Sequence, residues 1–422
     1  MKAEPAKAEP AKAGQAAAKA PAISRADCLA RDAADPLARF RDRFLLPDGV
    51  IYLDGNSLGP LCKDVRARLI DVVDREWGVD LIQSWWKNDW VGMPRTLGDK
   101  IGRLIGAAAG QVVVADSTSA NVFKALAAAL DLRPGRRVIL HETGTFPTDG
   151  YIAQGLAALL GPERVTLRAV PRDALLQAFD EDVAVGLLIH AHYKTGHVLD
   201  MAPITAAAHA SGALTLWDLA HSVGALPVAL DAAQADFAVG CGYKFLNGGP
   251  GGPAFSYVAE RHQALVRQPL SGWIGHLKPF DFAPDYEPGA GIDRFQCGTP
   301  VVLAMATLDA AVDLMLEADM GTMRAKSVAM TETFIAAFDR LCAGLGFALN
   351  SPRDPAERGG QVCVTHALAG PIMQSLIAGG VIGDFRPPNI LRFGFAPLYN
   401  RHVDAWDAAE RLAGAAREVG GG

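Results

Sequence analysis

Short apolar runs alternate along this chain with longer segments whose apolar residues recur every three or four positions. The runs VVVA, RVIL, VGLLIH and LTLW are typical of strands buried on both faces, whereas 64–77 and 121–130 show helical spacing. This alternation predicts a three-layer α/β fold, in which helices cover both faces of a mostly parallel sheet. The predicted strands are 111–115, 137–140, 164–170, 183–190, 214–220 and 236–242.

The pattern changes near Pro300, where a long helical region begins and extends to about Ala343. Shorter strand-like runs (QVCVTH, ILRFGFAP) and a closing helix follow, which predicts a smaller C-terminal α+β domain. The first 21 residues are a low-complexity run of Ala, Lys, Glu and Pro that predicts disorder and lacks the apolar stretch of a secretory signal. We therefore expect a disordered tail (1–21), an N-terminal segment packed on the small domain (22–60), a large cofactor-binding domain (61–300) and the small domain (301–422).

Charge and cysteine content exclude several classes of protein. Lys plus Arg number 40 and Asp plus Glu 46, so the net charge is −6, and without a basic stripe neither nucleic acid nor a membrane surface is an expected partner. The chain also has no apolar stretch of the roughly 18 residues that a transmembrane helix needs. Six scattered cysteines without CxxC spacing predict no metal site and no disulfide scaffold, and they suit the reducing cytoplasm.

Two strand ends carry the residues with the clearest chemistry. Asp218 ends one predicted strand, with His221 one turn later, and Tyr243 and Lys244 follow the next strand. Taken singly, these residues suit a turn cap and a solvated lysine. Neighbouring parallel strands end at the same sheet edge, however, where ligands bind. A lysine that forms a Schiff base and a carboxylate that keeps a ring nitrogen protonated are what pyridoxal 5'-phosphate requires.

Two loops supply further candidate cofactor contacts. Thr118 and Ser119 lie between a strand and a helix start, where hydroxyls and free backbone N–H groups hold a phosphate without a metal, although a simple helix cap would look the same. The segment FPTD offers Phe146 to stack on a pyridine face and Asp149 as a second carboxylate. The sequence thus predicts a pyridoxal phosphate site with no metal.

Several longer motifs resemble those of the kynureninase family over about residues 48–405. NSLGP, DLAHSVGALP and the LNGGPGG run after the lysine are the narrowest of them, and YKTG, SGWIGH, FQCGTP and ILRFGFAPLYN agree. Kynureninases are fold type I pyridoxal phosphate enzymes related to class V aminotransferases. The resemblance therefore implies that fold, a homodimer with active sites at the subunit boundary, and hydrolysis of L-kynurenine to anthranilate and L-alanine in tryptophan catabolism, which also serves NAD biosynthesis.

The resemblance also implies roles for individual residues. Lys244 would be the Schiff-base lysine and the base that removes the α-proton, Asp218 would bind the pyridinium nitrogen, and Phe146 would stack on the ring. Asp149 would lie near the phenolic oxygen. Thr118 and Ser119 would hold the cofactor, and the phosphate would be surrounded by His221, Tyr243, Trp273 and Thr299, the last two from the partner subunit.

On the substrate side, the resemblance implies that Arg392 binds the α-carboxylate, which a planar guanidinium can do bidentately. Asn56 and Asn88 are further candidate substrate contacts. Tyr243 is also a candidate for proton transfer at the substrate ketone. Asn88 stands in a loop, SWWKNDW, where many relatives have His, so the preference between kynurenine and 3-hydroxykynurenine stays open.

Other activities on the same fold remain open from sequence alone. A cysteine desulfurase-like enzyme needs a reactive cysteine on a mobile loop, whereas Cys342 and Cys363 lie in apolar patterns. An aminotransferase would require a keto acid. A non-catalytic scaffold is expected to lose the lysine or the aspartate, and both Lys244 and Asp218 are present.

Overall fold

A computed structural model describes residues 23–421 of the chain. The predicted disordered tail over 1–21 lies outside these residues and stays a prediction. Within the described range, no helix is both long and apolar enough to cross a membrane.

The strands of the described chain form one large sheet and two smaller ones. Their bounds are β1 Ile51–Tyr52, β2 Val112–Val114, β3 Val138–Glu142, β4 Thr166–Val170, β5 Val183–Ile189, β6 Leu214–Asp218, β7 Phe237–Cys241, β8 Ala254–Val258, β9 Ala348–Leu349, β10 Gln361–Thr365, β11 Val381–Ile382, β12 Asp384–Arg386 and β13 Ile390–Gly394. The large sheet has the order β2-β8-β7-β6-β5-β3-β4. Its neighbours run parallel except β8, which is antiparallel to β2 and β7.

Helices cover both faces of the large sheet. Their bounds are α1 Arg25–Ala33, α2 Ala38–Arg41, α3 Lys63–Asp71, α4 Ser84–Lys87, α5 Met93–Ile105, α6 Thr118–Asp131, α7 Pro147–Leu160, α8 Met201–Ser211, α9 Glu260–Gln263, α10 Val302–Leu316, α11 Met320–Leu341, α12 Ala369–Ala378 and α13 His402–Gly420. Helices α6 and α7 pack on one face, and α5, α8 and α10 on the other. The three-layer, mostly parallel α/β prediction is therefore confirmed.

Side chains of each central strand point alternately into the two helix layers. In β2, Val113 packs with α6 whereas Val112 and Val114 pack with α5, as the two-residue period of a strand requires. Because both layers are apolar, these strands read as continuous apolar runs rather than as alternating ones. This explains why the short runs of the sequence mark the central strands so clearly.

A smaller antiparallel sheet, in the order β12-β13-β10-β9, lies in the C-terminal part of the chain. Its core brings Cys28 of α1 together with Phe334 of α11 and Trp406 of α13, and β1 pairs with β11. Part of the N-terminal segment thus packs on the C-terminal core. Helix α10 instead packs into the core of the large sheet, although the predicted boundary at 300 assigned it to the small domain. The division into domains stays a prediction.

The register of the large sheet fixes where a site can form. Ile189, the last residue of β5, is opposite Asp218, the last residue of β6, which in turn is opposite Val239 of β7. These three strands therefore end at nearly the same level, and the chain after β7 continues directly into Tyr243 and Lys244. The carboxyl edge of β5, β6 and β7 is the place to search for chemistry.

Candidate active site

A cavity of about 210 Å³ opens at this carboxyl edge. It is closed by the first turns of α6 and α7, so two helix N-termini with free backbone N–H groups point toward it. Most of the residues that the sequence assigned to a cofactor are in its wall. The lining residues are Thr118, Ser119, Phe146, Thr148, Asp149, Ile189, Tyr193, Asp218, Ala220, His221, Tyr243 and Lys244.

Lys244 places its amine at the centre of these groups. Its Nζ lies 3.1 Å from Nε2 of His221, 5.8 Å from the ring centroid of Phe146 and 5.9 Å from that of Tyr243. The turn that carries the lysine packs closely against Gly59 of the NSLGP motif, whose backbone N–H donates to the carbonyl of Tyr243 at 2.8 Å. A Cβ at Gly59 would lie only 2.6 Å from the carbonyl oxygen of Lys244. The N-terminal motif therefore supports the lysine turn.

Asp218 and Asp149 form a buried carboxyl pair in the wall of the cavity. Oδ1 of Asp218 accepts a 2.7 Å hydrogen bond from the backbone N–H of Ala220. Burial, together with the negative charge of Asp218, raises the pKa of Asp149 well above its ordinary value. Burial also raises the pKa of Asp218, and the positive charge of Lys244 opposes that rise. Two adjacent buried carboxyls do not both ionise easily, so the pair shares a proton that resides on Asp149.

His221 is a buried, neutral imidazole beside the lysine amine. Burial, together with the charge of Lys244, lowers its pKa well below the ordinary value. Nε2 lies 3.1 Å from the lysine amine, and when that amine donates, the ring hydrogen is on Nδ1. Nδ1 is buried and has no partner at normal hydrogen-bond geometry within residues 23–421, although the side chain of Gln361 is close enough to raise the pKa of the ring.

The positions of Asp149 and His221 bear on two assignments implied by the resemblance, which stay predictions. Asp149, expected near the phenolic oxygen of the cofactor, lies beside Asp218, the residue assigned to the ring nitrogen. His221, assigned to the phosphate, has Nε2 3.1 Å from the lysine amine.

Thr118 and Ser119 occupy the first turn of α6. Ser117 caps this helix, since its Oγ accepts from the N–H of Ala120 at 3.3 Å. The hydroxyls of Thr118 and Ser119, and the N–H groups of the first turn, are suited to an anion because the helix dipole is positive there. On the opposite wall, burial raises the pKa of the Tyr243 phenol, which keeps it protonated at neutral pH.

Three of the predicted site residues lie away from this cavity. Trp273 packs edge-on against Trp85, with ring centroids 6.3 Å apart, and Thr299 is exposed beside a separate small cavity. Asn88 uses its side-chain amide locally, donating to Asp80 and accepting from Arg75 at 2.9 Å. The place of Trp273 and Thr299 in a partner's site, and the substrate contact of Asn88, stay predictions.

Arg392 and Asn56 lie behind the cavity wall rather than in it. Nη1 of Arg392 donates to the carbonyl of Tyr193 at 3.0 Å, and the Tyr193 side chain lines the cavity. Asn56 donates to Oε1 of Gln361 at 3.1 Å, and Gln361 donates to the same Tyr193 carbonyl at 3.0 Å. Tyr193 thus connects both predicted substrate residues with the cavity.

Sequence reasoning gave no role to Tyr193, although it lines the cavity and packs edge-on against Phe146 with ring centroids 5.1 Å apart. It follows β5, so the rule that pointed to the ends of β6 and β7 could also have found it. No rule based on the strand ends of the large sheet could have found Gln361, because this residue belongs to the small sheet.

None of the six cysteines, all within the described residues, lines the cavity. Burial raises the pKa of Cys342 to about 12 and that of Cys363 to about 11, so both remain thiols at neutral pH. The thiolate is the reactive form of cysteine. The site therefore lacks the nucleophile that a desulfurase needs.

The fold resembles that of several solved pyridoxal phosphate enzymes and desulfurases. A C-DES mutant with glycine covalently linked to its pyridoxal phosphate cofactor has a TM-score of 0.77, is 18% identical, and covers 88% of this chain and 98% of its own. The cysteine desulfurase CsdA from Escherichia coli has a TM-score of 0.75, is 20% identical, and covers 91% of this chain and 98% of its own. At these identities the likeness shows the fold alone, and it confirms the fold type I prediction.

Sequence comparisons are more specific. Residues 323–412 match the family model of the kynureninase C-terminal domain. A kynureninase from Deinococcus radiodurans is 52% identical over 406 residues, which is 95% of this chain and 98% of that protein. A kynureninase from Burkholderia pseudomallei is 50% identical over 394 residues, covering 92% and 94%. At this identity and coverage, the chain belongs to the kynureninase family.

Proposed function

We propose that this protein hydrolyses L-kynurenine to anthranilate and L-alanine with pyridoxal 5'-phosphate as its cofactor. The observation that carries the proposal is that Lys244 and Asp218 face one cavity, in a chain that is 52% identical to a kynureninase over 95% of its length. This activity belongs to tryptophan catabolism, and through 3-hydroxykynurenine it would serve NAD biosynthesis.

The donor and acceptor groups of the cavity fit pyridoxal phosphate. The amine of Lys244 suits an aldehyde, the Asp218 carboxylate suits a protonated ring nitrogen, and the α6 N-terminus suits a phosphate. Nδ1 of His221 and Oδ2 of Asp149 are buried polar atoms of cavity-lining residues, and a bound polar ring would satisfy such atoms. When bound, the cofactor takes up the electron pair released at the substrate's α-carbon.

Each reacting residue has a position suited to moving or holding a proton. Lys244 removes the proton from the α-carbon and returns one to the product, because its amine is central to the cavity. Asp218 would keep the ring nitrogen of the cofactor protonated, and Phe146 would orient the ring. Tyr243, which stays protonated, delivers its proton to the oxygen of the substrate ketone while water attacks the carbonyl carbon.

The substrate's α-carboxylate is assigned to Arg392, with Asn56 beside it. The Arg392 side chain is 1% exposed, so its charge acts in a medium of low dielectric where a carboxylate is strongly attracted. Arg392 belongs to β13 of the small sheet and contacts the cavity wall through the carbonyl of Tyr193. The proposed substrate site therefore draws on both sheets.

A homodimer with shared sites is supported by an exposed aromatic surface formed by Trp85, Trp86, Trp273, Phe280 and Phe282. Trp86 is 65% exposed and Phe282 75% exposed, and Trp86 packs on Phe280 with centroids 4.7 Å apart. Exposed apolar groups at this density indicate an interaction surface. Because this surface contains Trp273, which misses its own chain's cavity, a second copy of the chain is the partner that would use it.

Mixed dimers test this arrangement. Lys244→Ala chains and Trp273→Ala chains should each form weakly active homodimers. After mixing under conditions that exchange subunits, half the dimers are hybrids with one intact site, so about a quarter of wild-type activity should return. No recovery, despite exchange verified with differently tagged chains, would show that Trp273 acts within its own subunit.

We also propose a cytoplasmic location, since all six cysteines are free thiols. Among other activities on this fold, a desulfurase is disfavoured because no cysteine reaches the cavity. An aminotransferase differs by its requirement for a keto acid. Measurement of sulfide release and of keto-acid dependence separates both from hydrolysis.

The decisive experiment uses the purified, cofactor-loaded protein. We expect a visible absorption band from the lysine-bound cofactor, and release of anthranilate, followed by its fluorescence, when L-kynurenine is added without a keto acid. Lys244→Ala should abolish both. Lys63→Ala, at an exposed position at the start of α3, is the matched control. A band with no anthranilate would overturn the proposed substrate, and 3-hydroxykynurenine in the same assay gives the preference between the two.

A further inference from the structure

A partly buried group of charged and polar residues lies behind Tyr193, between the N-terminal segment and the small sheet. It contains Arg392, Asp384, Arg386, Ser57 and Asp54 and is called the Arg392 cluster below. The proposed function assigns a role only to Arg392, so the roles of the other four residues are open.

Both terminal nitrogens of the Arg392 guanidinium are held by hydrogen bonds. Nη2 donates to Oδ2 of Asp384 at 2.5 Å and to Oγ of Ser57 at 2.7 Å, while Nη1 donates to the Tyr193 carbonyl at 3.0 Å. Nε is buried and has no hydrogen-bond partner in the described chain. A buried guanidinium N–H without an acceptor is rare, which indicates that an acceptor is supplied by a ligand.

The backbone fixes the position of Asp384. Asp384 of β12 is directly opposite Arg392 of β13 in the antiparallel ladder, so the two side chains lie on one face of the sheet. Arg386, two residues along the same strand, also faces that side, and its guanidinium lies 2.8 Å from Oδ2 of Asp384. One carboxylate therefore stands between two guanidinium groups.

Arg392 is the one fully buried charge of the cluster. Its side chain is 1% exposed, whereas those of Asp384 and Arg386 are 18% and 35% exposed. Burial raises the pKa of Asp54 to about 6, so this carboxyl is mostly ionised at neutral pH and the two aspartates balance the two arginines. The feature that points to a bound carboxylate is therefore the unpartnered Nε of Arg392.

We propose that Asp384 is a positioning residue for substrate recognition. It fixes the Arg392 guanidinium through Nη2 and leaves the Nε edge for the substrate's α-carboxylate. Arg386 balances Asp384, so that the aspartate orients Arg392 without neutralising the anion site. This inference rests on the proposed role of Arg392, and it adds a residue that selects for amino acids over amines.

Two small ligands isolate the carboxylate. L-Alanine and ethylamine differ only by that group, and their binding to the cofactor-loaded protein can be followed by the change in cofactor absorption. The preference for alanine is the ratio of the two dissociation constants. Neither ligand needs to be hydrolysed, so the ratio is informative even if L-kynurenine proves not to be the substrate, which the anthranilate assay reports separately.

Asp384→Asn keeps the side-chain shape and removes the charge. We expect alanine binding to weaken about tenfold, the loss of one charge-assisted hydrogen bond, with ethylamine binding changed less than about twofold. Asp384→Glu keeps the charge, so its affinity for alanine should decrease less. This variant replaces Asp384→Asn in the test if the asparagine variant folds poorly. Asp339→Asn, which removes an exposed partner of Arg353, is the matched control and should change neither constant.

Three outcomes would overturn the inference. The first is an unchanged preference in Asp384→Asn, and the second is an equal loss for both ligands, which would indicate a general structural role. The third is a wild-type protein that binds alanine no better than ethylamine, since the Arg392 cluster would then not be a carboxylate site.

Discussion

Asparagine substitutions at Asp149 and Asp218 should have very different effects, although the two carboxyl groups are neighbours. Burial and the charge of Asp218 raise the pKa of Asp149, so Asp149 is the neutral acid of the pair. Asparagine resembles a neutral carboxylic acid in shape and also donates a hydrogen bond. Asp149→Asn should therefore preserve the arrangement, whereas Asp218→Asn removes the charge that faces the ring nitrogen.

The structure sets the size of this difference. Asp218 is 5% exposed, so its bond to a protonated ring nitrogen is charge-assisted and poorly screened. Losing such a bond costs about 1.5 to 3 kcal/mol, which corresponds to a decrease in kcat of about 10- to 150-fold. Exchanging one neutral donor for another at Asp149 should cost at most about 1 kcal/mol, or about fivefold.

The pH dependence of stability gives a second measurement. The folded-state pKa of Asp149 is raised, so its proton stabilises the fold fully at acidic pH, and that contribution is lost as the pH rises through the folded-state value. Asp149→Asn has no proton to lose. Thermal unfolding of the cofactor-free proteins should therefore shift in favour of the variant as the pH is raised.

Steady-state anthranilate production and these melting curves together test whether Asp149 is protonated in the folded protein. If Asp149→Asn loses as much kcat as Asp218→Asn, or if the wild type and Asp149→Asn show parallel stability profiles, then Asp149 is ionised in the folded protein. The pair would not share a proton, and the reasoning would fail.

Further predictions concern substrate binding and stability. Arg392→Ala should raise KM for L-kynurenine at least about tenfold with a smaller effect on kcat, because its contact forms before the chemistry; steady-state kinetics checks this. Asp236→Asn should lower the free energy of unfolding, measured by urea denaturation, by about 3 kcal/mol at neutral pH. The reason is that hydrogen bonds from His209 and His262 outweigh the effect of burial and hold the pKa of Asp236 well below its ordinary value. That difference should shrink as the pH falls below the ordinary aspartate range, since the contribution of a carboxyl with a depressed pKa is lost on protonation. Phe334→Ala, in the core of the small sheet, should lower the free energy of unfolding by about 3 to 5 kcal/mol in the same measurement. The folded fraction of this variant should still bind the cofactor.

The central strands could be predicted because each is a short run buried on both faces, and the predicted runs at 183–190 and 214–220 contain β5 and β6. Helix limits were harder. The segment 64–77 reads as one helix, but α3 ends at Asp71 and a wider helical turn, Val72–Trp77, continues from it. Helix α5 ends at Ile105 because Gly106 has φ +63° and a Cβ there would lie 2.7 Å from Ala229. Such a stop depends on a distant loop, which local periodicity does not reveal.

The residues of the candidate site also fall into two classes, those whose positions follow from the sheet of one chain and those whose positions depend on tertiary packing. Asp218 and Lys244 could be brought together from sequence because both follow strands of one parallel sheet, and the edge of that sheet is a property of one chain's backbone. The adjacency of Asp149 to Asp218, and the hold of Asp384 on Arg392, depend instead on how helices and a second sheet pack, which leaves no periodic signal. Residues of the first kind should act through the cofactor and change kcat. Residues of the second kind orient or select, so their substitution should change binding constants, protonation and assembly before it changes the chemical step.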